Sequence, residues 1–455
     1  MCRPEAYPVC DPPELSGASY DAVLLAPEDE WIAKLDHEAF KKDVRALGKE
    51  LSQQQGPEDV AHLKKIIRWS RLCSWVGALT MGYCVNPISI YLMSLGIMTR
   101  WAIIAHHVCH GGFDKCGKGE YNRYSFGVGS LYRRCVDWLD WMLVEAWNVE
   151  HNHLHHYCLG EEKDPDLVEM NFKSLRAKKD MPRWLKHAAI AFMMGTWKWF
   201  YYAPNTFKQL KIHQMRRAGK VPKLADGTPV DESTMNDPWT LDPSWLYDKD
   251  GAVFFRLSEL IFYVFAPYFI RQFLIIPTIC MLLFGPTSAT NALISTVLAE
   301  ILTNYHSFLV IVTNHAGDDM YRFDRHCNPN SATFYLRQVT SSVNFRTSNG
   351  PGKPVHGFMA DLNDFHHGWL NYQIEHHVWP DLSMLSYQKA APLLKQLCEK
   401  HGVPYVQENV FLRLKKTVDI MTGHTSMRRY PTRFEVERDL ALANDDDTSI
   451  KEKAS

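Results

Sequence analysis

The chain has 455 residues, and Lys+Arg of 50 against Asp+Glu of 51 leaves a net charge of -1, a balance that gives no reason to expect a nucleic-acid partner. Hydrophobic content of 46% with a mean hydropathy of -0.26 excludes a chain lying mostly within a bilayer, yet allows several spans beneath a large aqueous part. Eleven cysteines without a CxxC pair argue against a zinc ribbon or a disulfide scaffold and are read as reduced thiols.

The first 27 residues carry five prolines and lack the regions of a signal or transit peptide, so no cleaved targeting sequence is expected. From about 36 to 70, stretches such as HEAFKKDVRALGKELSQQQ have helical spacing and abundant charge, which predicts water-exposed helices leading to a membrane. Between Arg71 and Arg100 lie 28 residues without a charge, followed by WAIIAHHVCHGGF. One helix needs about 20 residues to cross, and the Asn86-Pro87 break divides the region into two expected spans, roughly 71–85 and 88–106. A second uncharged run of 28 residues, from Gln272 to Ala299, has apolar flanks and predicts another hairpin, with spans near 257–284 and 288–314. Residues 1–70 are therefore an N-terminal cytosolic segment, 71–430 the main domain and 431–455 a charged tail, expected to be disordered after Arg433.

Between the hairpins, AAIAFMMGTWKWFYYAP from Ala188 is short and interrupted by Lys198; its Trp and Tyr residues suit an in-plane position at the interface. Residues 208–251 form a Pro/Asp/Gly-rich connection, and an amphipathic helix is expected around 384–400. Trp138, Trp141 and Trp147 recur at a spacing that suits an acyl groove or, the preferred reading, interfacial anchoring.

Eleven of the 21 histidines fall in three short windows, 106–110, 151–156 and 366–377. His106 and His110 stand four apart and share a helix face, which aims two imidazoles at one metal. His151 and His155 repeat that spacing, and His156 turns about a quarter of a turn further, towards a second ion. The third window ends in Gln373-Ile374-Glu375-His376-His377, and His315 is a further candidate beside Asp318 and Asp319. The expected topology returns the chain to one membrane surface before each window.

Three paired clusters at equivalent span ends point to metal binding, whereas His37, His62, His187, His213, His326, His401 and His424 are read as structural or solvated. His107, His153, His366 and His367 are read as donors to the ligands or chance neighbours; Glu150, Asp361, Asp364 and Glu375 are candidates for orienting imidazoles. His306 and Glu300, inside an expected span, are functional suspects for which helix packing is an equal reading. Imidazole-rich coordination suits iron, zinc, copper or nickel; oxygen chemistry on inert acyl C–H bonds beside a bilayer favours iron.

The pattern HxxxH, then HxxxHH, then QxxHH, with His315 between the last two, resembles the membrane fatty acid desaturases over about residues 70–410. EHNHLHHYCLGEEKDPDLVE and LNYQIEHHVWPDLSMLSYQKAAP carry it most specifically, and the glutamine of the third box is similar to front-end desaturases. The resemblance implies an all-α integral membrane fold: about four transmembrane helices in two hairpins under a cytosolic helical cap that holds two irons, with a narrow apolar tunnel for an acyl chain. It implies His106, His110, His151, His155, His156, His315, His376 and His377 as iron ligands, with Gln373 where other members have histidine. The implied activity is O2-dependent desaturation of an acyl lipid or acyl-CoA. HPGG, the mark of a fused cytochrome b5 domain, is absent, so a separate cytochrome b5 or ferredoxin is the expected electron donor. His107, where many relatives have aspartate, and the extra His153 depart from the pattern. The final Lys451-Glu452-Lys453-Ala454-Ser455 resembles a dilysine signal of the endoplasmic reticulum and would require a cytosolic tail; the four-span reading leaves both termini there.

A hydroxylase, an acetylenase or a sphingolipid desaturase on the same scaffold is the nearest alternative. A non-oxidative membrane metal-binding protein, such as a transporter or zinc-dependent receptor, would place its ligands within the spans, away from where these windows gather. A carboxylate-bridged di-iron bundle would need two ExxH motifs, and only Glu150 to His153 stands near the boxes; HExxH, needed for a zinc peptidase, is absent.

Overall fold

The computed structural model of the chain describes residues 25–117, 119–138, 140–223, 227–230, 254–347 and 357–440. The proline-rich first 24 residues, the 231–253 part of the connection and the terminal Lys451–Ser455 signal lie outside the described residues.

Helix α1 (His37–Gln53) is capped by Asp36, whose side chain accepts from the Ala39 amide, and it buries Phe40, Val44 and Leu51 on one face. Helix α2 (Pro57–Met81) begins with proline at its first position, and Asp59 accepts from the Gly56 amide at 2.7 Å. The charged approach and the first expected span are thus one helix. Asn86 then accepts from the Ser89 amide at 2.8 Å and starts α3 (Pro87–Cys109), which returns against α2. The second hairpin is α7 (Leu257–Phe284) and α8 (Pro286–Asn314), joined at Gly285, whose φ of 88° suits the one residue without a Cβ.

The turns of the two hairpins meet, because Asn291 Nδ2 donates to the Gly82 carbonyl at 3.3 Å. The opposite ends of α3 and α8 therefore arrive together, carrying His110 and His315. Helices α3, α7 and α8 are each long and apolar enough to cross a membrane. Helix α2 does not join them, since its first half carries the charges of residues 58–71. Within α8, Glu300 accepts from Trp141 Nε1 at 3.0 Å and from the Tyr268 hydroxyl, and His306 Nε2 donates to the His366 carbonyl at 2.8 Å, so both serve helix packing.

Helix α4 (Val144–Trp147) continues in π geometry over Asn148–His155. Helix α5 (Arg183–Met194) leads through a π turn, Lys198–Tyr202, into α6 (Ala203–Arg217). The polar connection expected from 208 thus starts after 217, because Lys208, Gln209 and Ile212 are buried on α6. Trp138, Trp141 and Trp147 are all buried, which replaces interfacial anchoring with core packing. Helices α9 (Ala332–Thr340), α10 (Phe358–His366), α11 (Gln373–Val378), α12 (Met384–His401) and α13 (Val410–Thr422) gather at the histidine-bearing ends. Two short parallel pairs, β1 (Tyr321–Arg322) with β4 (Arg428–Arg429) and β2 (Asn344–Phe345) with β3 (Gln407–Glu408), tie their connections together. Disorder after Arg433 is also corrected for 434–440: buried Glu435 accepts from Arg325 and Arg337, and buried Asp439 accepts from the Thr333 amide.

Candidate metal centre

Nine side chains from four elements converge where α3 and α8 end. His106, His110, His151, His156 and His376 form one group and His155, His315 and His377 a second; within each group the ligand atoms lie within 4.8 Å of one another. All eight imidazoles are buried. Gln373 joins the second group, its side-chain amide 2.9 Å from His315 Nε2 and 3.1 Å from His377 Nε2.

The expected pairing of His151 with His155 is present, their ligand atoms lying within 4.8 Å of each other and of Asp166, but the larger groups divide them. Here His151 and His156 share a pocket and His155 faces the other. The reason is local: the His156 amide donates to the His151 carbonyl at 3.2 Å, a π-type bond that brings residues five apart onto one side. His106 and His110 keep α geometry, with the His110 amide 3.1 Å from the His106 carbonyl, and both enter the same pocket as expected.

These residues fit metal ions. A metal–imidazole bond of about 2.1 Å places neighbouring donor nitrogens about 3 Å apart. His106 Nε2 is 3.0 Å from His376 Nε2 and 3.1 Å from His151 Nε2. The Nε2 atoms of His110, His155 and His156 are buried with no hydrogen-bond partner among the described residues. Burial, reinforced by neighbouring histidines, pushes His110, His151, His156, His315, His376 and His377 well below the usual imidazole range, so each is the neutral form a metal binds.

His155 is the exception. Burial pulls its pKa down, but Asp164 and Asp166 outweigh burial and raise it. Its Nδ1 donates to Asp164 at 2.8 Å, which turns Nε2 toward the second pocket. His106 Nδ1 is held by the Ala102 carbonyl at 3.1 Å, and His376 Nδ1 lies 3.4 Å from the Tyr387 hydroxyl. Asp164 and Tyr387 were not singled out from the sequence, although both lie in its most specific stretches; nothing in residue spacing marks which carboxylate folds back onto a ring.

The residues read as orienting groups do other work. Asp361 meets Lys65 and lies 3.3 Å from His62, Asp364 accepts from Asn371, Tyr372 and Gln388, and Glu375 accepts from Asn344 and Tyr405. Glu150 is buried beside the acids Asp164 and Asp166, without a hydrogen-bond partner among the described residues. His107 donates Nδ1 to the Ile103 carbonyl, His366 and His367 donate to carbonyls within α10, and His153 is exposed; all four stay outside the two groups.

A narrow apolar cavity reaches the second pocket at His315, walled by Phe172, Met193, Trp197, Tyr202, Phe308, Ile311, Val312 and Met421 among others. Tyr202 accepts from Trp147 Nε1 at 3.1 Å, and Tyr201 donates to the Pro165 carbonyl at 2.9 Å, so these hydroxyls are engaged by the protein itself. Trp147 also stacks on His151 with ring centroids 4.5 Å apart, linking the cavity wall to the first pocket.

Residues 85–409 match the profile of the fatty acid desaturase family. Among curated proteins, the chain is 23% identical over 408 residues to the NADPH-dependent stearoyl-CoA 9-desaturase of Mycobacterium tuberculosis, covering 87% of this chain and 78% of that one. It is 48% identical over 49 residues to the fatty acid desaturase 2-like protein FADS2B of Mus musculus, which is 11% of this chain and spans only 10% of that relative. It is 30% identical over 129 residues to the Delta(8)-fatty-acid desaturase of Euglena gracilis, covering 27% of this chain and 26% of that one. No solved structure matches the chain.

Proposed function

The chain belongs to the fatty acid desaturase family, and from that premise we propose that it inserts a double bond into a fatty acyl chain, carried as acyl-CoA or acyl lipid, at a centre of two irons. The observation that carries this reading is the pair of buried histidine pockets with an apolar cavity opening on one of them. Bound iron supplies the redox chemistry by which O2 accepts two hydrogens from adjacent methylenes. With two electrons and two protons from outside, the balance closes on two waters per double bond.

The chain's own residues supply position and dryness. His106, His110, His151, His156 and His376 would hold one ion, and His155, His315, His377 and Gln373 the other. Asp164 holds the His155 proton at Nδ1, leaving Nε2 as the donor atom. The aromatic and aliphatic cavity walls favour methylene groups and exclude water from beside His315.

Helices α3, α7 and α8 supply three spans; the distal part of α2 is the fourth, with Leu72, Trp75 and Leu79 exposed as a lipid-facing surface. Four spans place both termini on the histidine side, read as cytosolic in the endoplasmic reticulum. The electrons come from a separate carrier, a cytochrome b5 or a ferredoxin; the mycobacterial relative is named as NADPH-dependent.

The test is expression in yeast fed a panel of saturated and unsaturated acids, with double bonds located by mass spectrometry. A new unsaturated species should appear with the wild-type chain and not with His376→Ala. No new species from a well-expressed, iron-loaded and chemically reduced protein would overturn the reading.

A further inference from the structure

The geometry points to the outer face of α1 as the docking surface for an acidic, one-electron protein carrier, an inference that rests on the desaturase reading because that reaction consumes two electrons. Lys42, Arg45 and Lys49 recur at helical spacing, are exposed, and have no acidic partner among the described residues. Two of the three acids of α1 are already engaged, Asp43 with Lys400 and His401 and Glu38 with Lys41 and Arg438; the third, exposed Glu50, accepts only from Gln54. On a chain of net charge -1, this leaves three exposed cations against one exposed carboxylate, a locally cationic surface.

What lies beneath the face selects the partner. A Cβ at Gly48 would stand 2.2 Å from Trp379 Nε1, so α1 passes directly over that indole. Trp379 follows His377 by two residues, and its carbonyl accepts from the Tyr387 hydroxyl at 3.0 Å. The same hydroxyl lies 3.4 Å from Nδ1 of His376. The cationic face is therefore joined to the five-histidine pocket through one tryptophan and one tyrosine.

A bilayer is the other natural partner for a basic helix, but a lipid-binding face also presents apolar side chains. No large apolar side chain is exposed on α1, whereas Trp184 on α5 and Phe411 on α13 are 70% and 66% exposed. Each encounter would deliver one electron from the carrier's haem or iron–sulfur group, oxidising the carrier, to the metal that the five-histidine pocket would hold; two encounters would supply the two electrons of a turnover.

The test uses the full chain in neutral phosphatidylcholine nanodiscs, with the soluble haem domain of a cytochrome b5 and a [2Fe–2S] ferredoxin as probes, titrated at about 50 and 200 mM salt. Wild type should bind at least one carrier, with affinity falling about tenfold or more between the two salts. Lys42→Glu/Arg45→Glu/Lys49→Glu should raise Kd about tenfold or more and flatten the salt dependence, and the corresponding glutamine variant should fall between. Lys178→Glu/Lys179→Glu/Arg183→Glu, the same charge change elsewhere, should keep the wild-type Kd. The docking surface is overturned by an unchanged Kd in the α1 variant, by an equal loss in the control, by binding of neither carrier, or by α1-dependent binding of phosphatidylserine vesicles in place of carriers. A parallel assay with a chemical reductant keeps the two readings apart: absence of product there overturns the desaturase reading, while the Kd values test the surface alone.

Discussion

The two histidine pockets share α11, which sends His376 to one and His377 to the other, yet they are differently made. The five-histidine pocket is built from an α-spaced pair, His106 and His110, and a π-spaced pair, His151 and His156, with His376 added from α11. The other takes His155 from the π segment, His315 from the end of α8, and His377 and the amide of Gln373 from α11, and among the described residues only there does a carboxylate, Asp164, fix a ring. It is also the pocket that meets the apolar cavity. Local repeats supply the two imidazole pairs of the first pocket, whereas each imidazole of the second comes from a different element.

The comparison breaks most visibly on ligand removal. His376→Ala and His315→Ala should each abolish detectable turnover while losing metal from different pockets, so iron per chain, measured by plasma mass spectrometry, should fall by one ion in each case. Loss of both ions from either variant would mean that the pockets fill as one unit. Asp164→Asn should weaken metal retention about 10–100-fold in the second pocket only, seen as loss of one ion during titration with a chelator.

Met193→Trp, on the cavity wall away from either set of ligands, should shift products toward shorter acyl chains with both ions retained; an unchanged profile would separate the cavity from the substrate. Asp361 sharpens the comparison from outside, because Gln388 spans it and Asp364, the residue that holds Asn371 and Tyr372 just before Gln373. Burial pushes the Asp361 carboxyl up, but His62, Lys65 and Gln388 outweigh burial and hold it at about 2. The sign is that of a depressed acid: its stabilisation is present above the usual carboxylate range and is lost as pH falls toward 2. Asp361→Asn should cost about 1–3 kcal/mol near neutrality, flatten that acid loss in thermal melts, and affect both pockets alike. The smallest effect belongs to His153→Ala, expected to keep turnover within about twofold because the exposed imidazole touches neither group.

The histidine spacing and the uncharged runs made the boxes, the three long apolar helices near 88–106, 257–284 and 288–314, and the helix at 384–400 legible in advance, because helical periodicity acts on neighbours in the chain. The expected span 71–85 was less legible: charge density changes at Arg71, but the hydrogen-bond ladder of α2 runs through it without a break. The tryptophans misled for a related reason, since Trp141 reads as an interfacial residue until Glu300, 159 positions away, accepts a hydrogen bond from its indole N–H.

By itself, the sequence determined which residues would be gathered, since ligand types and their short spacings are written locally. Only the tertiary structure decided how they are shared out. The π geometry that pairs His151 with His156, the fold-back of Asp164 onto His155, the amide of Gln373 between His315 and His377, and the passage of α1 over Trp379 all depend on approaches between elements that no local repeat encodes.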